Sequence, residues 1–390
     1  MLTIQGDEIR KLCLSDMHFT YDNFMDPRSE LATLYSGFTK YAAKTDAHYI
    51  LNYGDMLTSS YLDYLQDFTR NGTPSGIDLK KQKKALDDLT YRRLRPDSSL
   101  PESFQSMSYL IEKFAKASGY SALPTRADIE KELVHIRDND KAMIDYLVKR
   151  QNQSGKPFFV LHGNHECITL SESEIAGLFQ QASGHADIIR TAHAYSFYKE
   201  ITLENTDRAP ISAREIFYNP NVHNHAKGGL VLNQHDLEWL KDTLADTTGH
   251  AIVNMHFPIS FEQDPKNDPY SISRTYKEAA QIRKALSKAG NVALVTSGHI
   301  HKVMFDRIDG VNYLTTPSFH HIPSYVKSED KKGLKQPTGY FQEVALNLVD
   351  MTVQVDRKRM ILNADGTTRI HSERKARKNF APESPLKFNI

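Results

Sequence analysis

Five short apolar runs in this chain each stop at a small cluster of His, Asp, Asn and Gly, and that recurring arrangement limits the folds open to it. The first, Ile9 to Ser15, ends at Asp16-Met17-His18. His48 to Tyr53 ends at Gly54-Asp55, and Phe158 to Leu161 is followed by Gly163-Asn164-His165-Glu166. Ala251 to Met255 closes on His256, and Asn291 to Val295 leads into Ser297-Gly298-His299-Ile300-His301. Short apolar runs bounded by turn formers read as buried strands. Between the first two, Leu31, Leu34, Tyr35, Phe38, Tyr41 and Ala42 recur at helical spacing within Glu30 to Lys44, which makes a strand–helix–strand unit. Such units place the carboxyl ends of their strands on one edge of an α/β sheet, where ligands collect. The expectation is an α/β fold with a polar crevice at its strand ends.

From Leu57 to Pro157 the pattern changes to long charged helices, predicted at Asp78 to Leu94, Glu102 to Ala117 and Arg126 to Arg150, with Pro96, Pro101 and Pro124 between them. Ile136, Met143, Ile144 and Leu147 fall near one face of the last helix, which suits a crossover into the next strand. The chain therefore divides into a core of residues 1–65 and 150–390 and an inserted helical region of residues 66–149. The charges of the insertion suit a solvated cap better than a partner-binding module. Further on come a strand at Tyr195 to Tyr198, a His- and Asn-rich loop from Asn219 to His225, and an amphipathic helix from Gln234 to Leu244. Alternation at Tyr313 to Thr315, Phe341 to Leu348 and Met351 to Val355 predicts half-buried antiparallel strands. The tail from His371, with Arg374, Lys375, Arg377 and Lys378, reads as a solvated terminus.

Composition removes several classes of function. Forty-nine Lys and Arg against 48 Asp and Glu leave a formal charge of +1, so no global field advertises a nucleic acid or an anionic membrane, although a local basic face stays open. Two cysteines, Cys13 and Cys167, make neither a disulfide framework nor a CxxC pair, which points to a reducing compartment. No apolar run approaches the ~18 residues of a membrane span. The first strand starts too early to leave room for a signal peptide, so a cytoplasmic chain is expected, with export by a route lacking a cleaved signal left open.

Each cluster alone is weak, because a lone His after a strand is more often a satisfied polar residue than a ligand. Only 17 of the 390 residues are His, however, and five such clusters, all at strand ends, do not arise easily by chance. In their order, Asp16-x-His18, Gly54-Asp55, Gly163-Asn164-His165-Glu166, His256 and Gly298-His299-x-His301, they resemble the signature of the calcineurin-like metallophosphoesterase superfamily. Gly229 to Leu240 is similar to the segment those enzymes place before the fourth motif, with its Gln displaced to position 234. The resemblance covers about residues 10–356 apart from the insertion.

The resemblance implies a four-layer α/β/β/α sandwich with mixed sheets and an inserted helical cap. It implies two divalent metal ions, with Asp16, His18 and His301 on one, Asn164, His256 and His299 on the other, and Asp55 between them. Mixed imidazole and oxygen donors suit Mn, Fe or Zn. Such a pair can share a hydroxide that attacks a phosphodiester or phosphomonoester in line, with no Ser or Cys intermediate. His165, carried by the same loop but outside the ligand pattern, is then the candidate general acid, against the plainer role of holding the loop by a hydrogen bond. Glu166 is expected to orient that loop.

The protein Ser/Thr phosphatase branch follows its Gly-Asp with Asp-Arg-Gly, where this chain has Met56-Leu57-Thr58, so the resemblance lies with the other branches. Asp55 and Asn164 are 109 positions apart, several times what a βαβ unit of about 30 residues needs. The inserted helices are therefore expected to overhang the site. His223, His225 and His320 are candidate substrate contacts, with a plain polar loop as the alternative reading. The resemblance implies a substrate that is a phosphate ester of a small molecule, nucleotide or lipid headgroup, and nucleic acid is expected at most as a substrate. A phosphoprotein phosphatase that docks its substrate on the insertion, and a metal-binding scaffold without activity, are the alternatives.

Overall fold

The computed structural model describes residues 1–19, 24–26, 28–57, 126–163, 165–166, 170, 174–175, 177–178, 189–190, 196–220, 232, 234–260, 276–301, 303–320 and 338–379. The helices expected at Asp78 to Leu94 and Glu102 to Ala117, and the loop holding His223 and His225, lie outside them, as does Asn164.

The first sheet is built on β2 (Glu8–Leu14), β3 (Tyr49–Asn52) and β4 (Phe158–Val160), following β1 (Leu2–Gln5), which belongs to the other sheet. β2, β3 and β4 are parallel neighbours, so their carboxyl ends share one edge. Antiparallel β12 (Thr338–Asn347), β13 (Thr352–Leu362) and β14 (Thr368–Asn379) extend this sheet to the order β14-β13-β12-β2-β3-β4. The second sheet runs β1-β6-β7-β8-β9-β11-β10, with β5 (Ile189–Arg190) also paired to β6 (Phe197–Asn205). Its centre is the parallel set β7 (Arg208–Phe217), β8 (His250–Met255), β9 (Val292–Ser297) and β11 (Val311–Thr315), with β10 (Phe305–Ile308) at one edge. The inner strands are buried on both faces and therefore read as continuous apolar runs.

The sheets pack face to face. Phe159 on β4 meets Phe217 on β7 with ring centroids 5.0 Å apart, and Phe217 stacks on Phe197 at 4.4 Å. Helix α1 (Glu30–Ala42), capped by the Ser29 side chain, buries Leu31, Leu34, Tyr35 and Phe38, and packs against β12, β13 and β14. Helix α2 (Arg126–Asn152) joins it through Met143, Ile144, Leu147 and Val148 in the core. The buried Tyr35 hydroxyl lies 3.1 Å from both the Leu147 carbonyl and Gln151 Oε1, which ties the two helices together. On the outside of the second sheet lie α3 (Gln234–Ala245) and α4 (Tyr276–Ala289), packed on each other, with α4 against β9. The result is the four-layer α/β/β/α sandwich.

Several elements depart from the sequence reading, which contains no strand at β1, β7 or β10. The basic stretch from His371 is not a solvated terminus: residues 368–379 form β14, paired along β13 from Leu362↔Thr368 to Thr352↔Asn379. Its charges hid a strand that takes its stability from one long antiparallel ladder rather than from apolar alternation. Helix α4 was not anticipated, although Ala279, Ile282 and Leu286 recur at helical spacing and are buried.

Candidate metal centre

Because β2, β3 and β4 end on one edge and β8 and β9 end beside it in the facing sheet, five loops converge. Asp16 and His18 follow β2, Asp55 follows β3, His165 and Glu166 follow β4, His256 follows β8, and His299 and His301 follow β9. The loops are stitched by backbone hydrogen bonds: Asp16 N–H to the Gly54 carbonyl at 2.9 Å, His18 N–H to the Asp55 carbonyl at 3.1 Å, and Gly298 N–H to the His256 carbonyl at 3.0 Å. A Cβ at Gly163 would collide with the carboxylate and backbone nitrogen of Asp55, and one at Gly54 would collide with the Gly163 backbone. The Gly-Asp and Gly-Asn-His motifs need their glycines for this close approach, and Gly54 also takes a left-handed φ of +99°.

The side chains then face one another. His301 Nε2 lies 3.2 Å from Asp16 Oδ1 and 3.3 Å from His18 Nε2. His256 Nε2 lies 3.4 Å from Asp55 Oδ2 and 3.2 Å from His299 Nδ1. His165 Nε2 is 4.0 Å from Asp55 Oδ2, and its ring meets the edge of His18 at 4.6 Å between centroids. Three overlapping sets offer one ligand atom per residue within 4.8 Å of one another: Asp16, Asp55, His256 and His299; Asp16, His18 and His301; and His18, Asp55 and His165.

Two observations test whether this set fits cations. Asp16 Oδ1 is buried and makes no hydrogen bond of good geometry, despite the nearby His301 nitrogen. Asp16 (φ 52°), His18 (φ 50°), Asp55 (φ 51°), His299 (φ 69°) and His301 (φ 57°) all sit in the left-handed region that non-glycine residues rarely adopt. That strain holds only where the surroundings impose it, and it clusters at functional sites. Converging carboxylate oxygens and imidazole nitrogens, with nitrogens facing nitrogens, fit divalent metal ions of the borderline type.

The surrounding groups fix the orientation of the set. His256 Nδ1 lies 2.7 Å from the Tyr53 carbonyl, which can only accept, so Nδ1 keeps a proton and Nε2, once it gives up its own, is the nitrogen that faces the cluster as a ligand atom. Asp16 Oδ2 accepts from His299 N–H at 2.9 Å and from the Ser15 hydroxyl, and Ser318 Oγ donates to the Asp16 carbonyl at 2.8 Å. Glu166 is buried and its carboxylate accepts from four backbone N–H groups: Gly163 at 2.7 Å, Asp55 at 3.0 Å, Met56 at 2.5 Å and Leu57 at 3.3 Å. Glu166 thus binds the loop after β3 to the loop after β4.

Burial and mutual charge set the protonation states. Burial lowers His256, but the Asp55 carboxylate, by charge and hydrogen bond, outweighs it and raises the ring to about 9. Burial and the neighbouring His256 push His299 down to about 3. Asp16 is raised by burial yet brought down to about 2, chiefly by His301. Asp55 is held well below the carboxylate range because His256 and His165 outweigh its burial. Burial, then the Asp55 charge, lift Glu166 to about 7 against its N–H donors.

The structure thus brings Asp16, His18, Asp55, His165, His256, His299 and His301 together. Burial lowers the half-buried His320, against the opposing charge of Glu30 at the start of α1. Sequence reasoning passed over Ser15, Ser318 and the Tyr53 carbonyl, which act through the backbone or as short hydroxyls and carry no pattern of their own.

Residues 125–303 match the family model for calcineurin-like phosphoesterase. The sequence matches no curated protein. Among solved structures, a dimetal phosphatase from Danio rerio aligns over 96% of this chain and 99% of its own, at 10% identity and a TM-score of 0.51. GAP50, described as the anchor in the inner membrane complex of Plasmodium, aligns over 94% of this chain and 89% of its own, at 12% identity and a TM-score of 0.41. No described helix is long and apolar enough to cross a membrane.

Proposed function

We propose that this chain is a calcineurin-like metallophosphoesterase, and so a phosphoric ester hydrolase, in which Asp16, His18, Asp55, His256, His299 and His301, with Asn164, hold two divalent cations and His165 is the general acid. The observation that carries this reading is the overlap of the ligand sets, in which Asp16 and Asp55 belong to more than one group of donors within 4.8 Å. Divalent cations bound there would polarise the phosphoryl oxygens and lower the pKa of water, which makes a serine or cysteine nucleophile unnecessary.

The residues divide the remaining work. Asp16 and Asp55 bring negative charge from the first sheet, and His256, His299 and His301 bring imidazole nitrogens from the second. Glu166 and the Tyr53 carbonyl hold Asp55 and His256 in place. His165 donates its backbone N–H to Asp55 Oδ1 at 2.9 Å, which fixes its loop, while its side chain remains 22% exposed beside the cluster. A partly open imidazole at that position can pass a proton to a departing alcohol, a contribution of about 10²–10⁴-fold. Phosphodiesters or phosphomonoesters are the substrate class, and Mn, Fe or Zn the metals suited to these donors.

The test is reconstitution of metal-stripped protein with Mn, assayed on bis(p-nitrophenyl) phosphate and p-nitrophenyl phosphate. Turnover of at least one is expected; none with any divalent metal would overturn the reading. For His165→Ala, turnover of an alkyl phosphate should fall far more than that of an aryl ester, because only the alkyl leaving group needs the proton. Equal losses would remove His165 from the acid role.

A further inference from the structure

Beneath the metal centre lies a second polar cluster, fully enclosed between the sheets. Lys11 on β2 and Glu215 on β7 have side chains 0% and 1% exposed, with Lys11 Nζ 2.9 Å from Glu215 Oε1. Lys11 Nζ also donates to Asn254 Oδ1 at 3.2 Å, and Asn254 Nδ2 donates to Glu215 Oε1 at 3.0 Å. The Tyr49 hydroxyl donates to Glu215 Oε2. From Asn254 the chain of bonds continues upward: Thr296 Oγ1 donates to Asn254 Oδ1 at 2.5 Å, and the Tyr53 hydroxyl donates to Thr296 Oγ1 at 2.7 Å. The Tyr53 carbonyl then meets His256 Nδ1 at 2.7 Å.

The placement of these residues is the informative part. Each of the four strands that deliver ligands contributes to the cluster a few positions earlier: Lys11 on β2 before Asp16, Tyr49 on β3 and Tyr53 just after it before Asp55, Asn254 on β8 before His256, and Thr296 on β9 before His299. At about 3.3 Å per residue along a strand, the cluster lies roughly 7 to 16 Å below the ligands. Lys11, Tyr49 and Tyr53 come from the first sheet side, and Glu215, Asn254 and Thr296 from the second, so the bonds of Lys11 to Glu215 and Asn254, of Tyr49 to Glu215 and of Tyr53 to Thr296 cross the interface that the metal centre straddles, while Asn254 and Thr296 tie the second sheet's own members together. Apolar packing alone lets two sheets slide by fractions of an ångström, whereas directional bonds to buried charges permit one register. An enclosed ion pair is weak evidence for stability, and its better-attested use is to fix register.

We infer that Lys11, Glu215, Asn254, Thr296 and Tyr53 are positioning residues that lock the two sheets in register and thereby set the spacing between Asp16 and Asp55 on one side and His256 and His299 on the other. The inference rests on the metal-centre reading above. It separates the strength of metal binding from the stability of the fold.

The test is the triple variant Lys11→Met, Tyr49→Phe, Glu215→Met, which replaces the pair with apolar groups of similar volume and leaves no tyrosine hydroxyl stranded. Its metal-free melting temperature should stay within about 4 °C of the wild type. Its Mn affinity by isothermal titration calorimetry should fall about tenfold or more, as for other groups that orient metal ligands, and the rise in melting temperature on adding Mn should shrink. Thr296→Val cuts only the link between Tyr53 and Asn254 and should weaken Mn binding by roughly severalfold; it decides the matter if the triple variant does not fold. Variants that bind Mn as tightly as the wild type would overturn the network's role and leave the metal centre standing. A wild type that binds no Mn, Fe or Zn would overturn the metal centre and this inference with it.

Discussion

At the strand ends His18 Nε2 faces His301 Nε2 across 3.3 Å, while deeper between the sheets Lys11 Nζ faces Glu215 Oε1 at 2.9 Å. The rim and the interior are both polar and enclosed, but they are built in opposite ways. In the interior, donors meet acceptors, the charges cancel, and the backbone is regular strand. At the rim, nitrogens face nitrogens, carboxylates gather, and five ligand candidates carry left-handed φ angles. A buried polar group without a partner costs free energy; at the rim the buried Asp16 Oδ1 lacks a hydrogen bond, and the proposed cations would supply its partner, whereas Lys11 and Glu215 in the interior already answer each other.

That contrast is open to attack from both sides. Asp55→Asn keeps an oxygen to accept the His165 N–H but removes a charge from the rim. It should lower kcat/KM by upwards of about 10³-fold, the scale seen when a member of a catalytic unit is lost, while the metal-free melting temperature moves little near pH 9, where His256 no longer gains from the Asp55 charge. Glu215→Ala should do the reverse before any metal is added. It leaves Lys11 charged, enclosed and unpaired, at a cost of about 3–5 kcal/mol, read as a lower urea midpoint of the metal-free protein. If Glu215→Ala left stability untouched and Asp55→Asn unfolded the chain, the division between rim and interior would be wrong.

The smallest expected effect is a pH dependence. His256 is raised to about 9 in the folded, metal-free protein by the Asp55 charge, above the ordinary value near 6.5. Its stabilising contribution is therefore full below about pH 6.5 and is lost as pH rises toward 9. A protonated His256 cannot act as a ligand, so metal binding should strengthen over the same window. The metal-free melting temperature should drift down between pH 7 and 9 while the increment gained on adding Mn grows. Parallel trends would sever His256 from the metal.

The rim was legible in the sequence because a run such as His48 to Tyr53 must stop at polar residues where a strand leaves the core, and Gly54-Asp55 and Gly298-His299 mark that stop. The interior was not. Lys11 sits in Arg10-Lys11-Leu12, where an isolated lysine suggests the solvent side of a strand. Its burial depends on Glu215, 204 positions away, which no local pattern reveals. Strand β14 was hidden for a related reason, since residues such as Arg374 and Lys375 read as solvated tail until β13 supplies a ladder to pair with. Left-handed φ at Asp16, His18 and Asp55 was also invisible, because these are not glycines and only the crossing of five loops imposes it.

The most direct measurement is the metal content of the protein after stripping, loading with Mn and removal of free metal. Two ions per chain are expected in the wild type and fewer in Asp55→Asn, where charge shared between the donor sets is gone. Fewer than one ion per chain in the wild type, or the same content in both proteins, would contradict the claim that the strand ends converge on a pair of cations.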